Sequence, residues 1–363
     1  MPADSDDLAQ RLAARTLELV DLPSESRDEA ALASHALGVL RDGGAPARDA
    51  GDTCVLAGVL VRRDRPLVLL AGHLDTVPAQ GNRPGRRDPD AIHGLGAADM
   101  KGSVAVMLEL ALDEADPAHH ADRAMDLGLV LFGREELPLA ESALTPLLAR
   151  EPGLRTADLV LVMEPTANAL QLGCLGNLNA TWTFRGRSGH AARPWLADNA
   201  IHRAATGIAQ LAAVQPRQVT FEGLDFTEVA SVTQIRGGIA QNVVPGEAVA
   251  GVNARYAPGR DAADAEAWLR GLCAPHGELR IDSNAPSGPV AAGNPLVRAL
   301  REAGDLPVEP KQAWTPVAEF GLAGVDAVNF GPGDPAQAHT AGEHVRVDAL
   351  VASYRAVERL VAL

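Results

Sequence analysis

The sequence predicts an α/β protein: a mostly parallel sheet flanked by helices, with a smaller α+β domain inserted into it. Three observations support this fold class. Short apolar runs alternate with helically spaced segments over residues 1–177, as expected for a parallel sheet covered on both faces. Near residue 178 the pattern changes to strands interrupted by two helices, and the first pattern returns after residue 288. The length of 363 residues also suggests about two domains.

The first pattern consists of amphipathic helices and apolar strands that follow one another along the chain. Leucine and valine recur at helical spacing from Asp6 to Val20, and Pro23 ends that helix. Ser26 is expected to cap a second helix, with Glu29 as its capping-box partner. Further elements are strands at 54–61, 67–70, 127–132 and 159–163, a loop at 79–96 and a helix at 102–112. This order predicts successive βα units.

The middle and the end of the chain define the predicted domain bounds. Strands are expected at 178–184, 229–235, 248–256 and 279–283, with helices at 199–213 and 262–272. A helix at 295–303, a strand at 327–330 and a closing helix at 345–361 then resume the first pattern. We therefore predict one domain formed by residues 1–177 and 289–363, and an inserted domain at 178–288.

Composition and charge exclude several classes of function. The formal net charge of −15 argues against a nucleic-acid partner, because phosphate binding requires a basic face. The polar start of the chain does not resemble a signal peptide, and the apolar runs are shorter than the roughly 20 residues that cross a bilayer. Three widely spaced cysteines suggest neither a disulfide framework nor a thiolate metal site. We expect a cytoplasmic protein with no membrane partner.

Acids and histidines stand where the predicted strands end, which is where ligands bind in open α/β sheets. His73 follows the run at 67–70, and Asp75 lies two residues beyond it. A carboxylate beside a metal-binding histidine fixes its tautomer, although a loop histidine with a capping aspartate is the simpler interpretation of this pair alone. Asp99 lies in a loop before a helix, where it can bridge two cations or cap that helix.

Two further strands end in glutamates, and a histidine lies near the C-terminus. Glu135 and Glu136 follow the strand at 127–132, and Glu164 follows the next one. One acid of an adjacent pair can bind a metal while its neighbour moves protons, although most such pairs are solvated turns. Taken alone, His339 would be an ordinary loop histidine. Together these residues suit two divalent cations, with Zn²⁺ expected first and Co²⁺ or Mn²⁺ as alternatives.

Five motifs carry a family resemblance. They are GHLDTVP at 72–78, GAADMKG at 96–102, the Glu135–Glu136 pair, MEPT at 163–166 and the HT pair at 339–340. Through them the chain resembles, over nearly its full length, the M20 metallopeptidases, which cleave peptides and N-acylated amino acids. Segments at 172–178, 186–202, 237–248, 252–260 and 327–339 resemble more narrowly the actinobacterial succinyl-diaminopimelate desuccinylases.

The resemblance implies a zinc-peptidase type of catalytic domain and a role for each site residue. His73 and Glu164 bind one zinc ion, Glu136 and His339 bind the other, and Asp99 bridges the two. Asp75 orients His73, and Glu135 is the general base and acid. The insert at 178–288 is implied to be a lid that also forms a homodimer.

Four further residues are implied to contact the substrate. His190 of one subunit reaches the partner's active site and stabilises the oxyanion. Asn242 and Arg255 hold carboxylate or carbonyl groups, and Thr315 belongs to a substrate-binding loop. Spacing alone leaves Arg255 equally compatible with a position on the surface of a strand.

The expected activity is two-metal cleavage of an N-acyl amino acid, first of all N-succinyl-LL-diaminopimelate in lysine biosynthesis. Two departures from the family pattern keep other substrates open: Leu95 stands where a basic or small residue is usual, and Pro316 where an acid is usual. N-acetylornithine or N-acetylcitrulline deacetylation and dipeptidase or carboxypeptidase activity are therefore alternatives. A metal-binding scaffold that has lost catalysis is the alternative outside enzymes. A dinucleotide enzyme is disfavoured because no GxGxxG follows the first strand.

Overall fold

The computed structural model describes residues 2–116 and 123–362, which form two compact units. Unit 1 comprises Met1–Gly173, Pro289–Glu309 and Thr315–Leu363, and unit 2 comprises Cys174–Gly288 and Pro310–Trp314. These bounds differ from the predicted domain bounds at 174–177 and 310–314. The division into a catalytic and an inserted domain is taken up again as a proposal below.

Unit 1 contains an eight-stranded sheet. Its strands are β1 (Ala47–Gly51), β2 (Cys54–Gly58), β3 (Leu67–His73), β6 (Asp126–Phe132), β7 (Leu159–Val162), β8 (Leu170–Leu172), β16 (Val308–Pro310) and β17 (Ala327–Asn329). They lie in the order β1-β2-β6-β3-β7-β17-β8-β16. The four neighbours β6, β3, β7 and β17 run parallel and are buried along their whole length. Burial on both faces explains why their sequences are continuous apolar runs, and it confirms the predicted fold class.

Helices and a small second sheet complete unit 1. The helices are α1 (Pro2–Asp21), α2 (Ala30–Asp42), α3 (Gly102–Ala115), α4 (Leu144–Arg150), α7 (Pro295–Gly304), α8 (Val317–Leu322) and α9 (Val347–Val361). The small sheet has the order β18-β5-β4, formed by β4 (Arg86–Arg87), β5 (Ala91–His93) and β18 (His344–Arg346). The predicted loop at 79–96 thus contains two short strands. An irregular turn, Ala97–Lys101, leads into α3, and the peptide bond between Asp99 and Met100 is cis.

The capping role predicted for Ser26 is wrong. The second helix begins at Ala30, and the Ser26 hydroxyl instead donates a hydrogen bond of 2.8 Å to Oδ2 of Asp75. The Ser26 backbone N–H donates to the carbonyl oxygen of Thr76 at 3.0 Å, so this segment pairs with the chain after β3 and the helix begins only beyond it. Ser26 therefore belongs to the surroundings of the candidate site.

Unit 2 is a five-stranded antiparallel sheet with helices on one face. Its strands are β9 (Gly176–Arg185), β11 (Arg217–Phe221), β12 (Leu224–Gly237), β14 (Glu247–Tyr256) and β15 (Glu278–Ala285), in the order β11-β12-β14-β9-β15. The helices are α5 (Ala200–Ala212) and α6 (Ala262–Cys273), and a short ribbon pairs β10 (Gly189–His190) with β13 (Val243–Val244). Buried residues alternate with partly exposed ones along β9 and β14. One face therefore carries the core, which includes Trp182, Phe184 and Tyr256.

In the part of the chain that the structure describes, no helix has the length and apolarity that a bilayer crossing requires.

Candidate metal centre

The candidate site lies at the carboxyl ends of the central parallel strands of unit 1. β3 ends at His73, β6 runs into the loop with Glu135 and Glu136, and β7 is followed by Glu164. The loop after β17 brings His339 to the same edge of the sheet. The sequence signal is local: each strand is buried, so polar residues at or just beyond its end emerge at the sheet edge.

One group of potential metal ligands consists of His73, Asp99 and Glu164. Their ligand atoms lie within 4.8 Å of one another. Nε2 of His73 is 3.1 Å from Oδ1 of Asp99 and 3.9 Å from Oε1 of Glu164. The His73 ring is fully buried, so its orientation is fixed by packing as well as by these contacts.

A second group shares Asp99 with the first. It consists of Asp99, Glu136 and His339, again with ligand atoms within 4.8 Å of one another. Nε2 of His339 is 3.0 Å from Oε1 of Glu136 and 3.5 Å from Oδ2 of Asp99. The two carboxylate oxygens of Asp99 thus face different histidines, which is the arrangement that a bridging ligand needs.

The donor set fits two divalent cations. Tetrahedral zinc with bonds of about 2.0–2.2 Å to nitrogen and oxygen places its ligand atoms roughly 3.3–3.6 Å apart. The four histidine–carboxylate separations, 3.1 and 3.9 Å in the first group and 3.0 and 3.5 Å in the second, scatter around that spacing. Imidazole and carboxylate ligands also suit cobalt and manganese, so the donors alone do not select the metal.

The electrostatics of the site show an excess of negative charge. Desolvation and the nearby charge of Glu164 raise the pKa of Glu135 well above its ordinary value. Desolvation likewise raises the pKa of Glu136, although the hydrogen bond with His339 offsets part of the effect. That hydrogen bond also raises the pKa of His339 to about 9. Carboxylates that resist ionisation beside histidines that favour protonation indicate a site that attracts cations.

Asp75 has a wider structural role than the sequence suggested. Nδ1 of His73 lies 2.9 Å from the backbone carbonyl oxygen of Asp75 and 3.5 Å from its Oδ1. Because a carbonyl oxygen only accepts, Nδ1 donates and Nε2 is the nitrogen that faces the other ligands. The carboxylate itself accepts the backbone N–H groups of Glu135 and Glu136, at 2.9 and 3.1 Å. Asp75 therefore orients His73 largely through its backbone and fixes the glutamate pair through its side chain.

Sequence reasoning missed several residues around the site. Glu343 is 2% exposed and accepts three backbone N–H groups from the loop that carries Asp99. Gln80 donates through Nε2 to the carbonyl oxygen of His339 at 2.8 Å, and His339 has a positive φ of 61°. An acid four residues after a candidate ligand was the available signal for Glu343. A hydrogen bond to a backbone atom has no sequence signal of this kind, so nothing in the sequence indicated Gln80.

Three of the predicted substrate residues belong to unit 2. His190 is exposed, and its Nδ1 accepts the backbone N–H of Ala192 at 3.0 Å, which leaves Nε2 as the donor of the neutral ring. The backbone oxygen of Asn242 accepts the N–H of Ala191, so His190 and Asn242 lie on the same short ribbon. The side chain of Arg255 is partly buried, and its Nε donates to Oδ1 of Asn253 at 3.0 Å.

Thr315 belongs to unit 1 and is 1% exposed. It directly precedes Pro316, the N-cap residue of α8, and its backbone oxygen accepts the N–H of Ala318 at 3.0 Å. Its burial at the start of a helix is a structural position, and contact with a substrate stays a prediction.

Comparison with known proteins identifies the family. Residues 69–363 match the profile of Peptidase family M20/M25/M40. A Mycobacterium tuberculosis protein named DapE is 38% identical over 95% of this chain and 96% of its own length. A Corynebacterium glutamicum protein named succinyl-diaminopimelate desuccinylase is 33% identical over 92% of this chain and 91% of its own length. A Bacillus subtilis structure described as a dinuclear metal-binding M20 peptidase superposes with a TM-score of 0.70 at 16% identity, over 98% of both chains.

The profile match covers most of the chain, and two relatives above 30% identity cover nearly all of it. The chain therefore belongs to the M20/M25/M40 peptidase family, and it is an amidohydrolase of that family with a candidate metal centre.

Proposed function

We propose that the protein hydrolyses N-succinyl-LL-diaminopimelate to succinate and LL-diaminopimelate. The observation that carries the proposal is the pair of ligand groups that share Asp99 at the carboxyl edge of the sheet. The names of the relatives at 38% and 33% identity supply the substrate. We propose two divalent cations, zinc first, with His73 and Glu164 on one, Glu136 and His339 on the other, and Asp99 between them.

Within this centre, Glu135 is the residue we propose for proton transfer. Bound cations supply Lewis acidity, which polarises an amide carbonyl and lowers the pKa of water. Glu135 accepts the proton of the attacking water and returns it to the leaving nitrogen, a step that amides require because amines leave poorly. Its carboxylate lies within 4.8 Å of ligand atoms of His73 and Glu136, so it faces the centre. The Asp75 carboxylate keeps the Glu135 backbone in place through the hydrogen bond of 2.9 Å.

The residues of unit 2 are proposed to recognise the substrate. Nε2 of His190 can donate to a developing oxyanion, because Nδ1 is already engaged as an acceptor. The Arg255 guanidinium suits a substrate carboxylate, since its planar fork can bind both oxygens. Asn242 and Thr315 are the remaining proposed contacts. We further propose residues 1–177 and 289–363 as the catalytic domain, and 178–288 as the lid.

The lid is also proposed to form a homodimer. β11 covers β12 only along residues 224–228, and among the described residues the rest of that edge pairs with no other strand. Ile235 lies on this open stretch and is 54% exposed, and Ile239 just beyond it is 89% exposed. An open strand edge with apolar side chains is a template for pairing with a second copy. Sedimentation of the Ile235→Lys variant should shift from dimer to monomer, whereas Val61→Lys, at an exposed valine of unit 1, should stay dimeric. A wild-type protein that sediments as a monomer would refute the proposed homodimer.

A mixing experiment tests whether His190 serves the partner's site. His190→Ala and Glu135→Gln homodimers should each be nearly inactive. After subunit exchange, about half of the dimers are mixed, and each has one intact site if His190 acts in trans. We expect about a quarter of the wild-type rate to return. No recovery would mean that His190 acts within its own chain, and an active His190→Ala homodimer would mean that it does not act at all.

The substrate is tested by a rate panel with metal-loaded enzyme. It compares N-succinyl-LL-diaminopimelate with N-acetylornithine, N-acetylcitrulline and a simple dipeptide. We expect kcat/KM for the succinylated substrate to exceed the others by about 100-fold or more, since a site built for a carboxylate leaves charged groups unpaired with the wrong ligand. Preference for an acetylated substrate would reassign the protein within the family.

We also propose a cytoplasmic location, where the three free cysteines stay reduced.

A further inference from the structure

Glu343 forms an unusual set of hydrogen bonds with the loop that carries Asp99. Its Oε2 accepts the N–H of Gly96 at 2.9 Å, and its Oε1 accepts the N–H groups of Ala98 and Asp99, both at 3.0 Å. The carboxylate is buried, and it lies at the turn that precedes α3. Charge-assisted bonds to backbone amides before a helix are among the stronger interactions available to a carboxylate.

The same residue also belongs to the loop that carries His339. Its backbone N–H donates to the carbonyl oxygen of Thr340 at 3.3 Å, and its own carbonyl oxygen accepts the N–H of Gly94 at 3.0 Å. The next residue, His344, begins β18 and pairs with His93 of β5. Glu343 is thus tied to the His339 loop by its backbone and to the Asp99 loop by its side chain.

These contacts connect the two loops whose relative position matters most to a dinuclear site. Asp99 is the residue shared by both ligand groups, and His339 belongs to one of them. Gly96 has a positive φ of 79°, and a Cβ there would lie 2.8 Å from Cγ2 of Thr76, so this position of the loop requires glycine. A shift of the Asp99 backbone would change its distance to His73 and to His339 at once.

We propose that Glu343 is a positioning residue that holds the Asp99 loop against the His339 loop and so sets the geometry for two cations. This inference rests on the dinuclear centre of the proposed function and is independent of which acyl group is cleaved. Glu343 contacts backbone amides and does not contact the reacting atoms. It can therefore affect catalysis only by positioning the metal ligands. Residues that orient metal ligands typically change metal affinity by about 10–100-fold when they are replaced.

The chemistry of the contact predicts which replacement is informative. Glu343→Gln keeps the shape, but a glutamine has one acceptor oxygen. Its NH₂ group would face at least one backbone N–H, donor against donor. The loop then loses its fixed position, although the fold keeps most of its packing.

The test measures cation affinity in the full-length protein. Apo protein is titrated with Zn²⁺ against a chromophoric chelator, and the bound zinc is counted by mass spectrometry. We expect E343Q to bind at least one of the two cations about 10–100-fold more weakly than the wild type. Glu109→Gln is the matched control: Glu109 is also buried in unit 1, but its partners are the side chains of Arg15 and Arg11. It should keep wild-type affinity at both sites.

Thermal unfolding separates positioning from stability. A lower melting temperature for both variants with weakened zinc binding in E343Q alone supports the proposal. Wild-type affinity at both sites in folded E343Q would overturn it, whatever the melting temperature. Should E343Q fail to fold, Glu343→Asp carries the same test, because it keeps the charge but shortens the reach to the amides.

The proposed function and this inference fail in different ways. A wild type that binds two zinc ions but prefers another acyl amino acid leaves the role of Glu343 intact. A wild type that binds fewer than two cations removes the dinuclear centre and Glu343 positioning together, before any variant is compared.

Discussion

A single buried carboxylate in unit 2 and a group of carboxylates in unit 1 have their negative charge balanced in opposite ways. In unit 2, Glu228 is 2% exposed and accepts hydrogen bonds from Arg260, Arg217 and the backbone N–H of Ala257, all between 2.9 and 3.1 Å. Burial alone would raise its pKa, but these hydrogen bonds lower the pKa below its ordinary value. In unit 1, four carboxylates converge with two histidines, and the pKa values of Glu135 and Glu136 are raised.

The difference separates a carboxylate that the chain itself neutralises from carboxylates that require a cation from outside. Glu228 has two guanidinium groups fixed around it, so its charge is balanced once the chain has folded. The unit 1 cluster gathers more negative charge than its histidines balance, which is costly unless divalent ions bind. Glu135 and Glu136 thus keep raised pKa values where the nearby histidines balance only part of the charge, whereas the two arginines lower the pKa of Glu228.

The largest expected effect comes from Glu135. Glu135→Gln removes the proton acceptor but keeps the size of the side chain and the backbone N–H that Asp75 binds. We expect kcat to fall by about 10²–10⁴-fold, the usual contribution of a general base. Metal analysis should still find two bound cations per chain. More than about a hundredth of the wild-type rate would show that another group moves the proton.

Metal removal tests the other half of the comparison. After dialysis against a chelator, adding zinc to 100 times its dissociation constant should stabilise the unit that binds it by about 2.7 kcal/mol for each occupied site. Each site thus corresponds to a rise of roughly 5–10 °C in the melting temperature of a unit of this size. Calorimetry can follow the transition. An unchanged transition would mean that the unit 1 carboxylates are balanced without cations, as Glu228 is.

The sequence predicted the parts of this comparison that depend on local signals. His73, Glu136 and Glu164 could be found because each follows an apolar run, and such runs become buried strands. Glu343 could not be found in the same way, because its partners are backbone amides about 245 residues away in the chain, which have no sequence signature.

Other misses have the same physical origin. The capping box expected at Ser26 obeys local rules, but Ser26 instead pairs with Asp75 and Thr76 far along the chain, and the helix begins only at Ala30. In the Glu228 cluster, Arg217 is the cross-strand partner of Glu228 in the β11–β12 hairpin, whereas Arg260 comes from 32 residues further along the chain, beyond the reach of any local pattern. Contacts between residues far apart in the chain form only when the tertiary structure does. A single sequence therefore predicts the positions of the metal ligands better than the residues that support those ligands.

Glu228→Gln should destabilise unit 2 by about 1.5–3 kcal/mol at neutral pH, because a charged acceptor of two guanidinium groups is replaced by a neutral amide. The pH dependence has a definite sign. A lowered folded-state pKa contributes stability above the unfolded value near 4.5, and that stability is lost as the pH falls through the folded-state pKa. Chemical denaturation at several pH values should therefore show the variant and the wild type converging in acid. A constant difference down to low pH would mean that Glu228 acts through packing rather than charge.

The smallest expected effect distinguishes the two arginines of this cluster. The side chain of Arg217 is 60% exposed, so water already solvates much of its charge, and Arg217→Met should cost less than about 1 kcal/mol. Arg260 is 19% exposed, contacts both carboxylate oxygens of Glu228 and lies over the ring of Trp268 at 5.3 Å. Arg260→Met should therefore cost more, about 1.5–3 kcal/mol. Denaturant midpoints measured at low and high salt check the order, since salt should reduce the Arg217 contribution and leave most of the Arg260 contribution in place. Equal losses of stability in the two variants would show that the exposure of an arginine does not determine how much its ion pair with Glu228 contributes.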